Sequence, residues 1–410
     1  MMKRYIISVG LVLSCLLPAC AQVKAGDFAF KFHGRIRGDL FYNSRANEET
    51  VDGLFYMYPK DRDYDAAGED LNAGAQGSFY LLYTRLGVDI DGPRLMGAQT
   101  SAQIEADFRG SSSSFGVVRL RQAWVQLDWG RSAFLVGQTW HPLFGEVSPS
   151  VLNLATGAPF QPFNRSPMLR YRYSSPQGIS VTAAAIWQSQ YNSEGPDGKS
   201  SKYLKNGCIP EFYAGIDWKR KGWTVGAGVE VLSLRPRKTA DVDGKTYKVQ
   251  ERVTSVSAEA HVKYAAPKWQ VSAKTVLADN LTHCSMLGGF AVTHVNPADG
   301  EADYTPFRHS MTWLNATYGK KWQPGLFVGY LKNLGTAKGI AGPVYGTGLD
   351  VDQVVNVSAQ LSYNLPHWKV GLEFTPCTAW YGSLDKKNGK VVDTHSVTNF
   401  RVLAAVIYSF

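Results

Sequence analysis

Residues 395–410 read HSVTNFRVLAAVIYSF and decide the class of fold. From residue 399 onwards the sequence alternates, and one side of the predicted strand carries Phe400, Val402, Ala404, Val406, Tyr408 and Phe410. The other side carries Asn399, Arg401, Ala405 and Ser409, with Leu403 and Ile407 as apolar exceptions. A strand with one apolar face and a final aromatic residue is typical of outer-membrane β-barrels, in which the apolar face meets lipid and the other face lines the interior.

The first residues predict export from the cytoplasm. A basic start, MMKR, precedes an apolar run over residues 6–17, and ACA at residues 19–21 has the small residues of a cleavage site. The apolar run is too short to cross a bilayer as a helix. We therefore predict a signal peptide over residues 1–21, an outer-membrane β-barrel domain over residues 22–410, and location in the outer membrane of a bacterial cell.

The composition is compatible with a membrane barrel. The 410 residues include 40 glycines, and 12% are aromatic, which suits many strands with interfacial rings. The mean hydropathy of −0.19 does not count against a barrel, because only alternate strand residues face lipid. The formal net charge is +9. For an exported protein this charge favours small anions or outer-membrane lipid headgroups as partners, and not nucleic acid.

Three cysteines follow the predicted signal peptide, namely Cys208, Cys284 and Cys377. One disulfide between outer loops is possible in an oxidising compartment. Since the number is odd and the spacing is wide, we expect three unpaired thiols. Cys20 is an alternative, lipoprotein-type cleavage site, although Pro18 fits that pattern poorly and a barrel needs no lipid anchor.

Period-two alternation and turn residues predict sixteen strands. They cover residues 28–42, 77–91, 97–109, 115–129, 132–139, 167–174, 179–189, 211–219, 222–234, 251–264, 269–279, 308–320, 325–334, 352–363, 367–376 and 395–410. Short connections alternate with long ones over residues 43–76, 140–166, 190–210, 235–250, 280–307, 335–351 and 377–394. Outer-membrane barrels have short periplasmic turns and long extracellular loops. We therefore predict an all-β, transmembrane, antiparallel up-and-down β-barrel with about 16 strands and both termini in the periplasm.

Six tryptophans flank the predicted short turns, namely Trp129, Trp218, Trp223, Trp269, Trp322 and Trp368. An amphipathic ring is favoured at a membrane interface, so we predict an aromatic girdle and not a set of core anchors. One strand departs from the alternation, because the polar face of RLRQAWVQL at residues 119–127 changes sides after Arg121. Either a bulge shifts the register, or the strand lies in a subunit interface where the outer face need not be apolar.

Strand alternation places a row of arginines on the inner face of the predicted barrel. The row consists of Arg35, Arg37, Arg85, Arg109, Arg119, Arg121, Arg170, Arg172 and Arg401. A guanidinium is always charged and binds carboxylate or phosphate through two parallel hydrogen bonds, and rings of arginine in a pore select anions. The alternative is that the arginines pair with the inward Asp39, Asp89, Glu105 and Asp107 and only brace the wall. A mixture of the two roles fits the pattern.

The connection over residues 140–166 is long and too apolar to be disordered. We predict that this loop, which follows strand five, folds into the barrel and narrows it. His141 and Glu146 are its candidate constriction residues, with Glu146 facing the arginines. The alternative is an outer loop that only packs on its neighbours.

Motifs for catalysis or metal binding are not evident in the sequence. The eight histidines are scattered, and the glycines of residues 335–339 lack the strand-to-helix context of a phosphate loop. We predict no catalytic residues, no cofactor and no metal. A barrel hydrolase stays open as an alternative, because its triad would come from separate strands.

Four stretches resemble a known family. They are RLGVD at residues 85–89, RLRQA at residues 119–123, GQTW at residues 137–140 and SVTNFR at residues 396–401. Together they resemble the DcaP-like trimeric porins and the related phosphate-selective porins O and P, in a form similar to those of Bacteroidota. The resemblance implies a homotrimer of sixteen-stranded porins with an inward loop at residues 140–166 and a preference for anions. This chain has HPLF after the tryptophan, where that family continues with small polar residues.

The sequence thus predicts a passive diffusion porin for small anionic solutes such as carboxylates or phosphate. Two other classes of function are the alternatives. One is a structural or surface-binding barrel whose lumen is closed by its loops, and the other is a barrel enzyme that acts on lipid.

Overall fold

The chain forms a closed antiparallel β-barrel. The computed structural model describes residues 22–50, 53–110 and 116–410, and the predicted signal peptide over residues 1–21 lies outside these ranges. Sixteen strands of the described chain form the barrel wall, each paired with the next. The strands are β1 (Phe28–Asn43), β2 (Arg85–Leu95), β3 (Ala98–Asp107), β4 (Arg119–Asp128), β5 (Ser132–Trp140), β6 (Arg165–Ser174), β7 (Ile179–Ile186), β8 (Glu211–Arg220), β9 (Trp223–Leu234), β10 (Val253–Ala265), β11 (Trp269–Asp279), β12 (Ala302–Tyr318), β13 (Trp322–Thr336), β14 (Val351–Leu365), β15 (Trp368–Asp385) and β16 (Lys390–Ser409).

The barrel closes where β16 pairs with β1. Gly34 and Phe410 exchange backbone hydrogen bonds, with N···O distances of 3.0 and 3.1 Å. A Cβ atom at residue 34 would lie 2.6 Å from the Arg85 carbonyl oxygen and 2.7 Å from the Phe410 ring, so glycine is required for this close approach. The sixteen-stranded up-and-down barrel predicted from the sequence is confirmed.

Several long connections contain elements of their own. They are the strands Gln76–Tyr80, Gly288–Val295 and Val344–Thr347, the hairpin of Asn47–Thr50 with Phe55–Pro59, the hairpin of Thr239–Val242 with Lys245–Lys248, the 3-10 turns Leu71–Ala73 and Thr282–Cys284, and the helix Lys202–Gly207. The strand Gln22–Ala25 folds back on the start of β1. Residues 141–164 lie within the described chain and contain neither helix nor strand.

Within the described ranges, no helix combines the length and the apolar character that crossing a bilayer would require.

The predicted loop over residues 377–394 is wrong. Strand β15 continues to Asp385 and β16 begins at Lys390, so that a tight turn with Gly389 at φ +66° joins them. The residues in question are rich in β-branched and aromatic side chains, which pair across the two strands, as Thr378 does with Thr398. Polar residues within the stretch hid this extension from the sequence pattern.

The outer surface carries the predicted aromatic girdle. We call the rim formed by residues 96–97, 129–131, 175–178, 221–222, 266–268, 319–321 and 366–367 the short-turn end. The six tryptophans beside these turns expose between 39% and 60% of their surface, which excludes a role as core anchors. Several pack on a tyrosine of the next strand, as Trp223 does on Tyr264 with ring centroids 4.7 Å apart.

The irregularity in β4 is a β-bulge. Gln122 lies opposite Glu105, and Leu120 lies opposite Ala106, so Arg121 is the extra residue. The outer face stays apolar on both sides of the bulge, with Leu120 and Val125 exposed. The change of polar face is therefore explained without a polar outer surface.

Glycine 137 of the GQTW stretch packs against the same strand. It adopts φ +136°, and a Cβ atom there would lie 2.3 Å from the Ala123 carbonyl oxygen. The side chain of Gln138 donates to the carbonyl oxygens of Leu120 and Arg121 at 3.2 Å. This stretch thus holds the bulge in place.

The three cysteines are unpaired in the described chain, with Cys208 exposed and Cys284 and Cys377 buried.

Candidate functional site

The loop over residues 141–164 is fastened to one side of the barrel wall. Lys274 on β11 donates from Nζ to the carbonyl oxygens of Leu143 and Phe144 at 2.8 and 2.9 Å. Glu373 on β15 accepts from the backbone N–H of Leu152 at 2.8 Å. Further anchors are Trp313 to Gln161 at 2.9 Å and Gln360 to the Ser150 carbonyl at 2.8 Å. Strands β11 to β15 therefore hold the loop through side chains on their inner faces.

The interior of the barrel is asymmetric as a result. The polar anchors on β11 to β15 are buried, since Lys274 and Glu373 each expose 1% of their surface. On the other side, the Asp89 side chain is 47% exposed and that of Arg172 is 34% exposed. One cavity lies along β4 to β6, and β2 to β6 carry five of the nine predicted arginines.

Five of these arginines form ion pairs with carboxylates, and three of the five are Arg37, Arg119 and Arg121. Arg119 and Arg121 both bind Asp107, with distances of 2.7 and 2.8 Å. Arg121 also contacts Glu105 at 2.5 Å. Arg37 forms hydrogen bonds with Asp39 at 2.7 and 2.9 Å, and donates to the Leu152 carbonyl of the loop at 2.6 Å. These side chains brace the wall.

Arg401 and Arg109 contact the hairpin that contains Phe55–Pro59. Arg401 donates to the Gly53 carbonyl at 2.9 Å and lies over the Tyr56 ring, with 5.2 Å from Cζ to the centroid. Arg109 lies over the ring of Phe55 at 5.3 Å. Both guanidinium groups therefore stack on aromatic rings at the long-loop end.

Arg172 binds Glu146 of the loop at 2.8 Å, and Lys219 is also paired with this carboxylate. Arg85 lies at 4.0 Å from Glu105. Arg35 and Arg170 have no ion-pair partner within the described ranges. Arg170, Arg172 and Arg131 line a small cavity at the short-turn end of about 200 Å³. The arginines are thus distributed along the height of the wall from this cavity to the long-loop end.

His141, the other candidate constriction residue, lies away from these arginines. It is 1% exposed, and its Nε2 atom is 2.5 Å from the Glu211 carboxylate on β8. It faces the barrel wall, while Glu146 faces the arginines.

Sequence reasoning missed Arg165, at the first position of β6. It is fully buried, stacks on Trp140 at 4.6 Å and donates to the Tyr191 hydroxyl at 2.7 Å. The alternation that places Leu169 outside would also place Arg165 outside, so the pattern gave no signal. Although burial opposes ionisation, Arg165 and then Arg119 lower the pKa of the Tyr191 hydroxyl. The half-buried phenol of Tyr191 therefore lies among positively charged groups at the long-loop end.

A second cavity of about 640 Å³ lies at the long-loop end. Its polar lining includes Arg109, Arg119, Lys199 and His283, while Phe55 belongs to its apolar part. The two cavities lie towards opposite ends of the arginine-bearing wall.

No family model matches the sequence, and no curated protein matches it either. The structure is similar to that of the outer membrane channel DcaP of Acinetobacter baumannii, with a TM-score of 0.67, 17% identity, and coverage of 95% of this chain and 100% of that chain. The fold is that of an outer-membrane porin. Salmonella typhi OmpF in complex with daunomycin gives a TM-score of 0.54 at 12% identity, covering 95% of this chain and 100% of that chain. The trimer form of OmpT, an outer membrane protein of Vibrio cholerae, gives a TM-score of 0.53 at 13% identity, covering 93% of this chain and 99% of that chain.

These structural similarities establish the porin fold, and the match to bacterial outer-membrane porins confirms the location predicted from the sequence.

Proposed function

We propose that this porin is a passive channel for small anionic solutes such as carboxylates or phosphate. The observation that carries the proposal is the asymmetry of the interior. Side chains of β11 to β15 hold the loop over residues 141–164, and five of the nine predicted arginines lie on β2 to β6. A path along β2 to β6 would pass the guanidinium group of Arg170, which has no ion-pair partner within the described ranges and attracts anions more than cations.

Within this proposal the loop is the constriction. Glu146 reaches from the loop to Arg172 and Lys219, and so spans part of the remaining space. Its carboxylate neutralises one arginine at the narrow point. Arg170 keeps its charge uncompensated beside it, which leaves a net positive lining.

We further propose that the chain acts as a homotrimer in the outer membrane. The support is the sequence resemblance to trimeric porins and the similarity to a protein described as a trimer form. Electrophoresis of unheated protein in detergent tests this proposal. A band at three times the mass of the heated chain is expected, and a band at the mass of one folded chain would contradict it.

A barrel with a closed lumen is the second candidate, and one observation favours it. An apolar cluster fills much of the interior, with Tyr56, Leu143, Phe160, Phe163 and Trp313 all buried. Such a barrel would bind ligands at its surface and would not conduct ions.

Conductance in planar lipid bilayers separates the two candidates. Under a gradient of potassium chloride, we expect stepwise conductance with a reversal potential on the anion-selective side, and more so at low salt, where screening is weaker. A silent bilayer despite correctly folded protein would favour the closed barrel. Cation selectivity would contradict the anion channel. Turnover of lipid by the protein would favour the barrel enzyme, because a passive channel does not show it.

A further inference from the structure

A buried group of carboxylates and imidazoles lies where β8 and β9 meet two loops. Glu211 on β8 and Glu230 on β9 are each 0% exposed. His283 comes from the 3-10 turn Thr282–Cys284, and His141 comes from the loop over residues 141–164; each is 1% exposed. The channel proposed above uses none of these groups, and no metal-ligand spacing in the sequence pointed to them.

The polar atoms at the centre of this group lack hydrogen-bond partners. Neither carboxylate oxygen of Glu230 accepts a hydrogen bond from any described residue. Ser257, its register partner on β10, directs its hydroxyl to the Asp279 carbonyl at 3.3 Å. Oε2 of Glu211 and both ring nitrogens of His283 also lack an aligned partner in the described chain. Unpaired buried polar atoms are rare, and each needs a physical explanation.

The unpaired atoms converge on one point. One ligand atom from each of Glu211, Glu230 and His283 lies within 4.8 Å of the other two. Nε2 of His283 is 3.0 Å from Oε2 of Glu211, although the pair is not aligned as a hydrogen bond. Separations of this size fit three groups that bind a common ion.

His141 holds one of these carboxylates in position. Its Nδ1 atom accepts from the backbone N–H of Leu143 at 3.2 Å, so the proton resides on Nε2. Nε2 then donates to Oε1 of Glu211 at 2.5 Å, which turns Oε2 of Glu211 towards Glu230 and His283. An imidazole that fixes a ligating carboxylate in this way is a common outer-shell partner in metal sites.

Charge supplies the independent reason for a cation. Glu211 and Glu230 are buried side by side. Within the described ranges the possible cationic partners of Glu211 are the imidazoles of His141 and His283, and Glu230 has none. While both imidazoles are neutral, the two carboxylates have no compensating charge. Two buried carboxylates without a compensating charge are strongly disfavoured. A divalent cation would balance both charges while the two histidines stay neutral.

We propose that Glu211, Glu230 and His283 bind one divalent transition-metal ion, and that Zn²⁺ is the best match. An imidazole with carboxylates suits Zn²⁺, whereas Mg²⁺ and Ca²⁺ take oxygen ligands. The Cys284 thiol adjoins the site, since its sulfur lies within 4.8 Å of ligand atoms of His141 and His283. The ion would enter from the cavity of about 640 Å³, because His283 lies in its lining.

Such an ion would join four segments. It would tie β8 and β9 directly to the turn at residues 282–284 and, through His141, to the start of the loop over residues 141–164. It would thereby fix the position of that loop relative to the wall.

The test uses the full barrel, folded in detergent, without a histidine tag and stripped with a chelator. Titration with Zn²⁺ followed by elemental analysis should give one zinc per chain, and Co²⁺ in its place should give a visible absorption band. Zinc should also raise the unfolding temperature. Binding of less than one zinc per chain at saturation, or a Co²⁺ spectrum of free hexaaqua ion, would overturn the proposal.

Variants locate the site. Glu230→Gln keeps the size of the side chain and removes a ligand charge, and should weaken zinc binding at least ~10-fold. Glu251→Gln is the matched control, because Glu251 is also buried but is bound by Arg237 at 2.7 Å and by Tyr304 at 2.6 Å. It should bind zinc as the wild type does. Retention of wild-type affinity by folded Glu230→Gln, as judged by heat-modifiable electrophoretic mobility, would place the metal elsewhere.

Discussion

Arg170 lies on the inner face of β6, beside Arg172 and the cavity at the short-turn end. It has no ion-pair partner within the described part of the chain, whereas Arg119 on β4 is bound by Asp107 through two hydrogen bonds of 3.0 and 2.7 Å. A paired guanidinium presents little net charge to a passing solute. Charge selectivity should therefore depend on Arg170 more than on Arg119.

Arg170→Gln should reduce the ratio of anion to cation permeability roughly 2-fold, since it removes one unscreened charge from the wall. The measurement is the reversal potential in a salt gradient, and the shift should shrink as salt rises. Lys245→Gln, in the exposed hairpin Thr239–Val242 with Lys245–Lys248, is the control for an equal change of net charge. Equal shifts in the two variants would remove Arg170 from the path.

Asp107 is the residue on which the wall braces depend. It is fully buried and accepts from Arg119 and Arg121, so Asp107→Asn leaves two guanidinium groups with one fewer charge partner. We expect a loss of about 3–5 kcal/mol in the free energy of unfolding, the usual effect of breaking a buried pair. Denaturant titration in detergent micelles measures it.

The control is Asp89→Asn on β2, because the Asp89 side chain is 47% exposed. It accepts from Gln103 at 2.7 Å and should change the free energy of unfolding by less than ~1 kcal/mol. Similar losses of unfolding free energy in both variants would mean that burial of the ion pairs does not determine their contribution to stability.

At the scale of elements, the loop over residues 141–164 depends on a few polar anchors. Lys274→Met keeps the apolar stem and removes two hydrogen bonds to the loop backbone, at Leu143 and Phe144. We expect a looser loop, visible as noisier and on average larger single-channel conductance. Lys332→Met on β13 is the control, since Lys332 pairs with Asp352 and makes no hydrogen bond to this loop in the described chain. Conductance identical to wild type would place the loop away from the path.

The strands were predictable because each one shows a local alternation of apolar and polar residues that can be read without knowledge of the rest of the chain. Most predicted boundaries of strands β1 to β14 lie within a few residues of the observed ones, since short turns and flanking tryptophans mark them. The β4 bulge was visible as a broken alternation, but only pairing partners could show that Arg121 is the extra residue. Leu403 is apolar although it lies on the inner side of β16, because it packs with Leu152 and Leu154 of the loop. The sequence of the strand alone could not show this contact.

The interior sites were not predictable in the same way. Glu211, Glu230 and His283 are far apart in the sequence and meet only because β8 and β9 are neighbours and a distant loop folds over them. Arg165 was missed because the alternation fails at the first residue of β6. Contacts made by loops depend on the whole barrel and leave no periodic signal.

At the scale of the whole molecule, the alternating connections predict which rim faces the cell exterior. A tag inserted at Lys199, whose side chain is 58% exposed in a long connection, should be reached by antibody on intact cells. A tag at Arg220, beside a short turn, should be reached only after the outer membrane is permeabilised. Labelling in the opposite order would invert the barrel in the membrane.

The seam between β1 and β16 has a consequence for how the protein is made. Asn43 and Arg401 are hydrogen-bonded at 3.1 Å across 358 residues of chain, and the last backbone hydrogen bonds of the seam involve Phe410. Without β16 the sheet would have two open edges, and such edges pair readily with other chains. A chain that lacks β16 would thus form not a slightly weaker barrel but an aggregation-prone sheet, so the barrel is protected from its copies only once β1 and β16 have met.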